Sequence, residues 1–150
     1  MKIHDVMTPK AQTCNPSSNL AAVGTLMWRY DCGAIPVVDP VSGMVHGMIT
    51  DRDICMAAAT QHRSAAEIRV SEVVGGPLYA VRADDDAREA LQVMREAQVR
   101  RVPVVTSDGK LQGIVSINDL ILVADAKSGG QSLLGTEVMD TLKNICAHRR

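Results

Sequence analysis

Two segments of the chain end with the same pattern: a glycine, a hydroxyl residue three positions later, and an aspartate three positions after that. The hydroxyl residue comes where an apolar strand is predicted to give way to a helix, and the aspartate falls one turn into that helix. Free N–H groups at a helix start favour an anion, and a carboxylate can accept hydrogen bonds from two neighbouring ribose hydroxyls. The pattern therefore predicts phosphate at the hydroxyl and ribose at the aspartate. Its members are Gly47, Thr50 and Asp53, and Gly113, Ser116 and Asp119.

The same residues also have a simpler interpretation as helix caps. A threonine or serine hydroxyl can accept a hydrogen bond from the first helical turn, and an aspartate in that turn complements the helix dipole. A single instance of the pattern would favour a cap. Two instances at matched places, each after a glycine and an apolar strand, favour a binding site.

The pattern belongs to a longer internal repeat, which we call repeat 1 and repeat 2. Pro36 and Pro103 stand in matching apolar-Pro-Val-Val segments 67 residues apart (103 minus 36), whereas Asp53 and Asp119 are 66 apart (119 minus 53). The difference is one residue lost from the hairpin loop of repeat 2. We expect the two repeats to share one aliphatic core and to pack about a pseudo-twofold axis, with two versions of the cleft between them.

The proline-containing strands supply further candidates for a ligand site. Ile35 and Val102 are apolar and could form a wall against a flat base, while the backbone of Ala34 and Arg101 could read its edge.

Arginines near these strands could neutralise phosphate. Arg100 and Arg101 begin the strand of repeat 2, and repeat 1 has Arg52 within its Thr-x-x-Asp segment. The alternative of equal weight is a solvated surface, or partners for the acidic run 84–86. That run itself is typical of a first helical turn rather than of a metal site.

The predicted elements follow one order in both repeats. Repeat 1 has a turn at 5–9, an extended stretch at 11–14, a helix capped by Ser17 or Ser18 and ended by Gly33, strands at 35–38 and 44–50, and a helix at 51–59. Repeat 2 has a turn at 70–74, a strand at 78–81, a helix opened by 84–86, strands at 101–105 and 111–116, and a helix at 117–127. A linker at 128–132 and an amphipathic C-terminal helix follow, and that helix either covers an apolar patch or contacts a second subunit.

Composition excludes several functional classes. The net charge of −1 provides no field for nucleic acid or an anionic membrane, and no apolar run reaches membrane-spanning length. An acidic residue at position 5, where a signal peptide would be apolar, favours a cytoplasmic protein. The four cysteines have no CxxC spacing, which favours reduced, buried or partly buried structural thiols and no metal site.

Taken in order, these motifs resemble a tandem CBS domain pair, also called a Bateman module. The resemblance covers residues 3–126 and includes the opening Asp5-Val6-Met7-Thr8, the apolar-Pro-Val-Val strands and the Gly-x-x-(Thr/Ser)-x-x-Asp ends. It implies an α+β fold of two β-α-β-β-α repeats with a pseudo-twofold axis, plus the extra C-terminal helix. The expected domains are 1–62, 63–127 and 128–150.

The resemblance also implies how the candidates would be grouped. Asp119 and Asp53 would hold ribose, and Ser116 and Thr50 would hold phosphate. Each cleft would borrow from the opposite repeat. The Asp119 cleft would add the segment from Thr8 to Thr13, Gly33, Ile114 and Arg100 or Arg101, and the Asp53 cleft would add Tyr79, Ala80 and Met48. Repeat 2 opens with Glu72-Val73-Val74-Gly75-Gly76 where the family has an Asp-x-Met-(Thr/Ser) pattern, so the Asp53 cleft lacks that hydroxyl. The Asp119 cleft, which has the arginines and Thr8, ranks first.

The function implied is that of a non-catalytic regulatory module that binds AMP, ADP or ATP between the repeats, forms a homodimer and signals to a partner protein. The alternatives are a sensor of S-adenosylmethionine or NAD, and an interaction scaffold with an empty cleft. Such pairs also occur inside IMP dehydrogenases, but this chain has no room for a barrel of about 250 residues. The sequence assembles no catalytic constellation, no Walker loop and no metal-ligand spacing, so we expect no enzyme activity.

Overall fold

Each apolar-Pro-Val-Val segment becomes a strand beside the strand that leads into a Thr-x-x-Asp or Ser-x-x-Asp helix. We describe the protein from a computed structural model, which describes residues 1–125 and 132–147. Its strands and helices, in chain order, are β1 (Thr8–Pro9), α1 (Leu20–Tyr30), β2 (Ala34–Val38), β3 (Val45–Thr50), α2 (Asp51–Gln61), β4 (Val81–Arg82), α3 (Ala87–Ala97), β5 (Arg101–Val105), β6 (Leu111–Ser116), α4 (Ile117–Val123) and α5 (Gly135–Cys146). The predicted α+β order of two β-α-β-β-α repeats followed by a C-terminal helix is confirmed.

The chain divides into two compact units. Unit 1 combines Met1–Lys10, Tyr79–Asp108 and the described residues from Gln112 onward, and unit 2 combines Ala11–Leu78 with Gly109–Leu111. Buried apolar residues form two clusters, one in each unit, so the expectation of one shared core is wrong.

Unit 1 is built on a four-stranded sheet with the order β1-β6-β5-β4. β1 pairs antiparallel with β6, which places Thr8 opposite Ile114, and β4 pairs parallel with β5. Met94, Val104 and Leu120 are fully buried beside this sheet. The sheet therefore fixes the end of β6, where α4 begins.

Unit 2 is built on the antiparallel pair β2 and β3. Ile35 lies opposite Ile49, and both are fully buried with Leu20 and Val23 of α1. Cys14 adds a single parallel bridge to Val37. This small sheet positions the end of β3, where α2 begins.

The opening segments of the repeats are exchanged between the cores. Ile3, in a short 3₁₀ turn, is fully buried in the cluster of unit 1, and its counterpart Val70 (70 minus 3 is 67) is fully buried in the cluster of unit 2. Each turn is closed by its own carboxylate: the Lys2 N–H donates to Asp5 Oδ2 at 3.1 Å, and the Arg69 N–H donates to Glu72 Oε2 at 2.8 Å. Residues 1–10 thus belong to the unit that contains repeat 2.

The C-terminal helix α5 covers an apolar patch of its own unit, as the first of its two predicted roles required. Leu133 and Val138 are buried in the cluster of unit 1. Arg88 on α3 holds Glu137 through two hydrogen bonds, from Nε to Oε1 at 2.7 Å and from Nη2 to Oε2 at 3.2 Å. Leu133 and Leu134 precede the helix, which begins at Gly135.

Several predicted boundaries are wrong. α1 is capped by Asn19, whose Oδ1 accepts from the Ala22 N–H at 2.9 Å, and ends at Asp31 rather than at Gly33. The extended stretch at 11–14 makes only the Cys14 bridge. The strand expected at 78–81 is Val81–Arg82, and the helix expected at 117–127 ends at Val123.

Two other sequence expectations concern the thiols and the linker. Cys14 is buried, but Cys55 and Cys146 are exposed, so the prediction of buried cysteines fails for these two. Positions 128–131 of the predicted linker lie outside the described residues. No helix within the described ranges has the length and apolar character needed to cross a membrane.

Candidate nucleotide site

At the start of α4, Ser116 and Asp119 bind each other. The Ser116 N–H and Oγ donate to Asp119 Oδ2 at 2.8 and 2.7 Å, and the Asp119 N–H donates to Ser116 Oγ at 3.2 Å. This is a capping box, in which two free N–H groups of the helix start are satisfied reciprocally. The cap interpretation of the motif is therefore realised in the structure.

The start of α2 repeats this arrangement with one difference. The Thr50 N–H donates to Asp53 Oδ2 at 2.9 Å, and the Asp53 N–H donates to Thr50 Oγ1 at 3.1 Å. Among the described residues, no bond from the Thr50 hydroxyl to Asp53 accompanies these two. The Ser116 hydroxyl thus donates to its own aspartate, and the Thr50 hydroxyl has no such bond to Asp53 in the described part of the chain.

Capping does not use up either carboxylate. The bonds that these carboxylates accept all reach Oδ2, and within residues 1–125 and 132–147 neither Asp53 nor Asp119 receives one at Oδ1. Both aspartates are partly exposed. Each therefore keeps an oxygen that can accept from a ligand hydroxyl.

Both helix starts are tied to the residue before the proline strand. The Asp51 N–H donates to the Gly33 carbonyl at 3.0 Å, and the Ile117 N–H donates to the Arg100 carbonyl at 2.8 Å. The first residues of β2 and β5, Ala34 and Arg101, therefore lie beside the capping boxes. The backbone that was predicted to read a base edge therefore lies next to the residues that were predicted to bind ribose and phosphate.

The side chains predicted to form the apolar wall are core residues. Ile35 is 0% exposed and Val102 is 1% exposed. They hold β2 and β5 against their clusters and present no exposed surface of their own.

In unit 1, Thr8 and the arginines lie around the Ser116–Asp119 corner. Thr8 is exposed and pairs with Ile114, two residues before Ser116. A side chain at Gly113 would meet the Thr8 carbonyl oxygen at 2.6 Å, so this close approach requires glycine. Thr8, the first residue of the Thr8–Thr13 segment that was predicted for the Asp119 cleft, therefore lies in the same unit as Asp119.

Arg100 is exposed and Arg101 is half-buried, and neither forms an ion pair with any other described residue. The acidic run 84–86 has other partners: Asp86 caps α3 by accepting from the Arg88 N–H at 3.0 Å. That bond, followed by the charges of the N-terminus and Arg88, holds the Asp86 pKa below its usual value against the opposing effect of burial. The alternative that pairs the arginines with this run is therefore wrong.

In unit 2, the sheet register arranges the repeat 1 candidates. Ala34 lies opposite Thr50, and Pro36 lies opposite the half-buried Met48. Arg52 is exposed on the first turn of α2. These residues surround the Thr50–Asp53 corner from the same unit.

The remaining candidates lie in the unit that does not contain their expected aspartate. Thr13, which lines a cavity of about 220 Å³, and Gly33 belong to unit 2, whereas Tyr79 and Ala80 belong to unit 1. Their contribution to a site with the opposite aspartate stays a prediction. Within the described ranges, no three His, Cys, Asp or Glu side chains are grouped so that they could hold a metal ion.

The geometry above is that of a known family. The model of the CBS domain matches residues 3–60 and 70–125, which are the two repeats. The chain belongs to the CBS domain family. It carries two such domains in tandem, as the sequence resemblance implied.

Relatives show how far the likeness extends. The CBS domain-containing protein YhcV of Bacillus subtilis is 36% identical over 118 residues, which cover 79% of this chain and 81% of that protein. A crystal structure of Hypoxic Response Protein I with two coordinated zinc ions is 31% identical, with a TM-score of 0.74 over 81% of this chain and 98% of that one. The inosine-5'-monophosphate dehydrogenase of Mycobacterium leprae is 31% identical over 131 residues, but these cover only 24% of that enzyme and 84% of this chain.

A structure of CBSX2 in complex with AMP has the same fold. Its TM-score is 0.68 at 24% identity, over 81% of this chain and 93% of that one. The likeness at this identity concerns the fold, and the ligand belongs to CBSX2.

The sequence could have yielded more of this site than we predicted. The spacing of the Ser-x-x-Asp motif is that of a capping box, which identifies the Ser116 N–H as a direct partner of Asp119. No local signal reveals that Gly113 must admit the Thr8 carbonyl, because this contact joins segments about a hundred residues apart (113 minus 8 is 105).

Proposed function

We propose that this tandem CBS protein is a non-catalytic regulatory module that binds an adenosine-containing nucleotide, with AMP, ADP or ATP as the preferred ligand. The observation that carries the proposal is the pair of capping boxes. Each presents a carboxylate oxygen that accepts from none of the described residues, and it lies beside a helix start and beside the backbone of a proline strand. The carboxylate oxygen suits a vicinal diol, the helix start suits a phosphate, and the strand backbone suits the edge of a base. The AMP in the CBSX2 structure supports the choice of ligand.

The Asp119 corner is proposed as the primary site. Thr8 lies in the same unit as Asp119. Arg100 and Arg101 of that unit have guanidinium groups available for phosphate. Ligand binding would favour one arrangement of the protein over another, and a partner protein would read the difference. A homodimer and a cytoplasmic location remain part of the proposal.

Isothermal titration calorimetry with AMP, ADP, ATP, S-adenosylmethionine and NAD tests the proposal. In the Asp119→Ala variant we expect nucleotide binding to weaken by about 1.5–3 kcal/mol, or about ten- to a hundredfold, which is the range for hydrogen bonds to charged groups. Asp86→Ala is the matched control, because it also removes a helix-capping carboxylate from unit 1 but has no proposed ligand role. Equal affinity in Asp119→Ala and the parent protein would reject Asp119 as the ribose ligand.

One observation favours a second candidate, an interaction scaffold that binds no nucleotide. The Ser116 hydroxyl proton is already held by Asp119, so the motif is satisfied without a ligand. Under this alternative, none of the five compounds would release or absorb heat, and both aspartate variants would differ from the parent only in stability.

A further inference from the structure

The start of α2 is occupied by groups of the protein itself. The Asp51 N–H donates to the Gly33 carbonyl at 3.0 Å, and the Arg52 N–H donates to Asp51 Oδ1 at 2.8 Å. The N–H groups of Thr50 and Asp53 are bound in the capping box. All four N–H groups that a helix start leaves open therefore have protein acceptors, one of which is the Asp51 carboxylate. A phosphate at a helix start depends on such groups, and none of these four is left for it.

The start of α4 differs at the residue that follows the cap. Ile117 stands in the place of Asp51 (117 minus 51 is 66), and its side chain is buried in the cluster of unit 1. The bonds from backbone N–H groups to the capping side chains are the same at both helix starts. The two starts therefore share the cap, but only α2 carries a second carboxylate beside it.

The strand residues next to the two helix starts differ in charge in the same direction. Arg100 and Arg101 precede and begin β5, and Gly33 and Ala34 take their places at β2 (100 minus 33 and 101 minus 34 are both 67). Neither arginine is ion-paired to another residue within 1–125 and 132–147. Guanidinium groups suit phosphate oxygens, so the strand start supplies phosphate partners at α4 and none at α2.

These differences give the two corners opposite net charge. We call the start of α2 with β2 the Asp53 corner, and the start of α4 with β5 the Asp119 corner. The Asp53 corner has Arg52 against two aspartates, at positions 51 and 53, which is a net charge of −1. The Asp119 corner has two arginines against Asp119, which is a net charge of +1. An anionic ligand is therefore attracted to one corner and repelled by the other.

We propose that the two corners select ligands of different charge. The Asp119 corner binds an adenosine ligand with a 5′ phosphate, and the Asp53 corner binds adenosine or a derivative whose 5′ substituent is neutral or cationic. Asp53 Oδ1 accepts from none of the described residues, so the Asp53 corner keeps its acceptor for a ribose hydroxyl although Asp51 disfavours phosphate. This inference rests on the proposed function and divides its ligands between the corners.

Adenosine and AMP are the probes, since they differ only in the 5′ phosphate. When AMP fills the tighter site of the parent protein, isothermal titration calorimetry should still detect adenosine binding at a second site. We expect the Asp53→Ala protein, which keeps the Asp119 corner, to bind AMP about tenfold or more tightly than adenosine. The Asp119→Ala protein should show the reverse order. Added sodium chloride should weaken AMP binding by the Asp53→Ala protein and leave adenosine binding by the Asp119→Ala protein unchanged.

Further variants identify the charges responsible. Arg101→Ala copies Ala34 and should reduce the ratio of AMP to adenosine affinity in the Asp53→Ala background. Arg82→Ala is the control, because Arg82 is exposed and pairs with Val105 at the opposite end of β5. In the Asp119→Ala background, Asp51→Ala should strengthen AMP binding more than Asp51→Asn, whose amide oxygen still accepts from the Arg52 N–H. Circular dichroism verifies that each variant is folded.

Four results would overturn the division of ligands. Three of them leave the proposed function standing: tighter binding of AMP than of adenosine by the Asp119→Ala protein, displacement of AMP by adenosine from a single site of the parent protein, and equal effects of Arg101→Ala and Arg82→Ala on the affinity ratio. The fourth is the absence of binding of either compound to the parent protein, which would reject the proposed function together with this inference.

Discussion

The Ser116 hydroxyl donates to Asp119 Oδ2 at 2.7 Å while it accepts from the Asp119 N–H at 3.2 Å, so one side chain both caps α4 and orients the carboxylate proposed to hold ribose. Thr50 and Asp53 stand in the same relation at α2, but without the hydroxyl-to-carboxylate bond. The same atoms therefore cap the helix and belong to the proposed ribose site, so experiments on this motif must separate helix stability from ligand binding.

Ser116→Ala removes the acceptor for the Asp119 N–H. Because loss of an N-cap hydroxyl typically costs about 1 kcal/mol, we expect the free energy of unfolding to fall by about that amount in urea denaturation. Ser116→Thr should restore it, since threonine performs this role at position 50. A Ser116→Thr protein as unstable as Ser116→Ala would show that the hydroxyl does not cap α4.

The capping motifs and proline strands were predictable because they depend on local spacing. The start of α1 was not. Ser18 Oγ accepts from the Asn15 N–H at 3.1 Å, and Asn15 Oδ1 accepts from the Ser17 N–H at 2.8 Å, so these polar groups close the preceding turn. Asn19 is left to cap the helix. Sequence alone shows several capping residues in a row and does not show which of them the turn uses.

The exchange of opening segments was also beyond the sequence. Ile3 is buried with residues about eighty or more positions away, and its N–H donates to the Asp85 carbonyl at 3.0 Å. The repeat predicts that Ile3 and Val70 are equivalent, but not which core each joins. That choice depends on long-range packing, which no local pattern encodes.

Gly113→Ala should destabilise the protein, because its Cβ would lie 2.6 Å from the Thr8 carbonyl oxygen and 3.2 Å from Met7 Sδ. Overpacking of this kind costs about 1–3 kcal/mol, and here it would also separate β1 from β6. Gly75→Ala is the matched control, since its Cβ meets no described atom within 4 Å. Thermal unfolding of the two variants measures the difference, and equal melting temperatures would contradict the close approach of β1.

Three of the four thiols should differ in reactivity. Burial raises the pKa of Cys14 to about 11, against the opposing effect of its backbone hydrogen bond, whereas Cys55 and Cys146 are exposed. Since the thiolate is the reactive form, Ellman's reagent at pH 8 should label Cys55 and Cys146 quickly and Cys14 only slowly. Mass spectrometry of quenched samples assigns each label. Labelling of Cys14 as fast as Cys55 would mean that the core around α1 opens readily.

The attachment of α5 should weaken in acid through Glu137. The Arg88 guanidinium, helped by the Leu134 N–H, holds the pKa of this carboxyl below its ordinary value of 4.5. A carboxylate whose pKa is lower in the folded state contributes stability that is complete above its unfolded pKa and is lost as the pH falls through the folded one. The Arg88–Glu137 pair should therefore stabilise the protein at pH 7 and lose that contribution well below pH 4.5.

Glu137→Gln is compared with the parent protein at pH 7 and well below pH 4.5. This comparison separates the contribution of the Arg88–Glu137 pair from the titration of the other carboxylates. At pH 7 we expect Glu137→Gln to lower the free energy of unfolding by about 1 kcal/mol, near the upper limit for a partly exposed ion pair, because the bonds are bidentate. Well below pH 4.5 the difference should shrink toward zero, since the side chain at position 137 is then neutral in both proteins. Lys143→Ala is the control: Lys143 lies 3.9 Å from Asp140 with both side chains exposed, so stability should change little at either pH. A difference for Glu137→Gln that is the same at both pH values would show that Glu137 acts through packing and not through its charge.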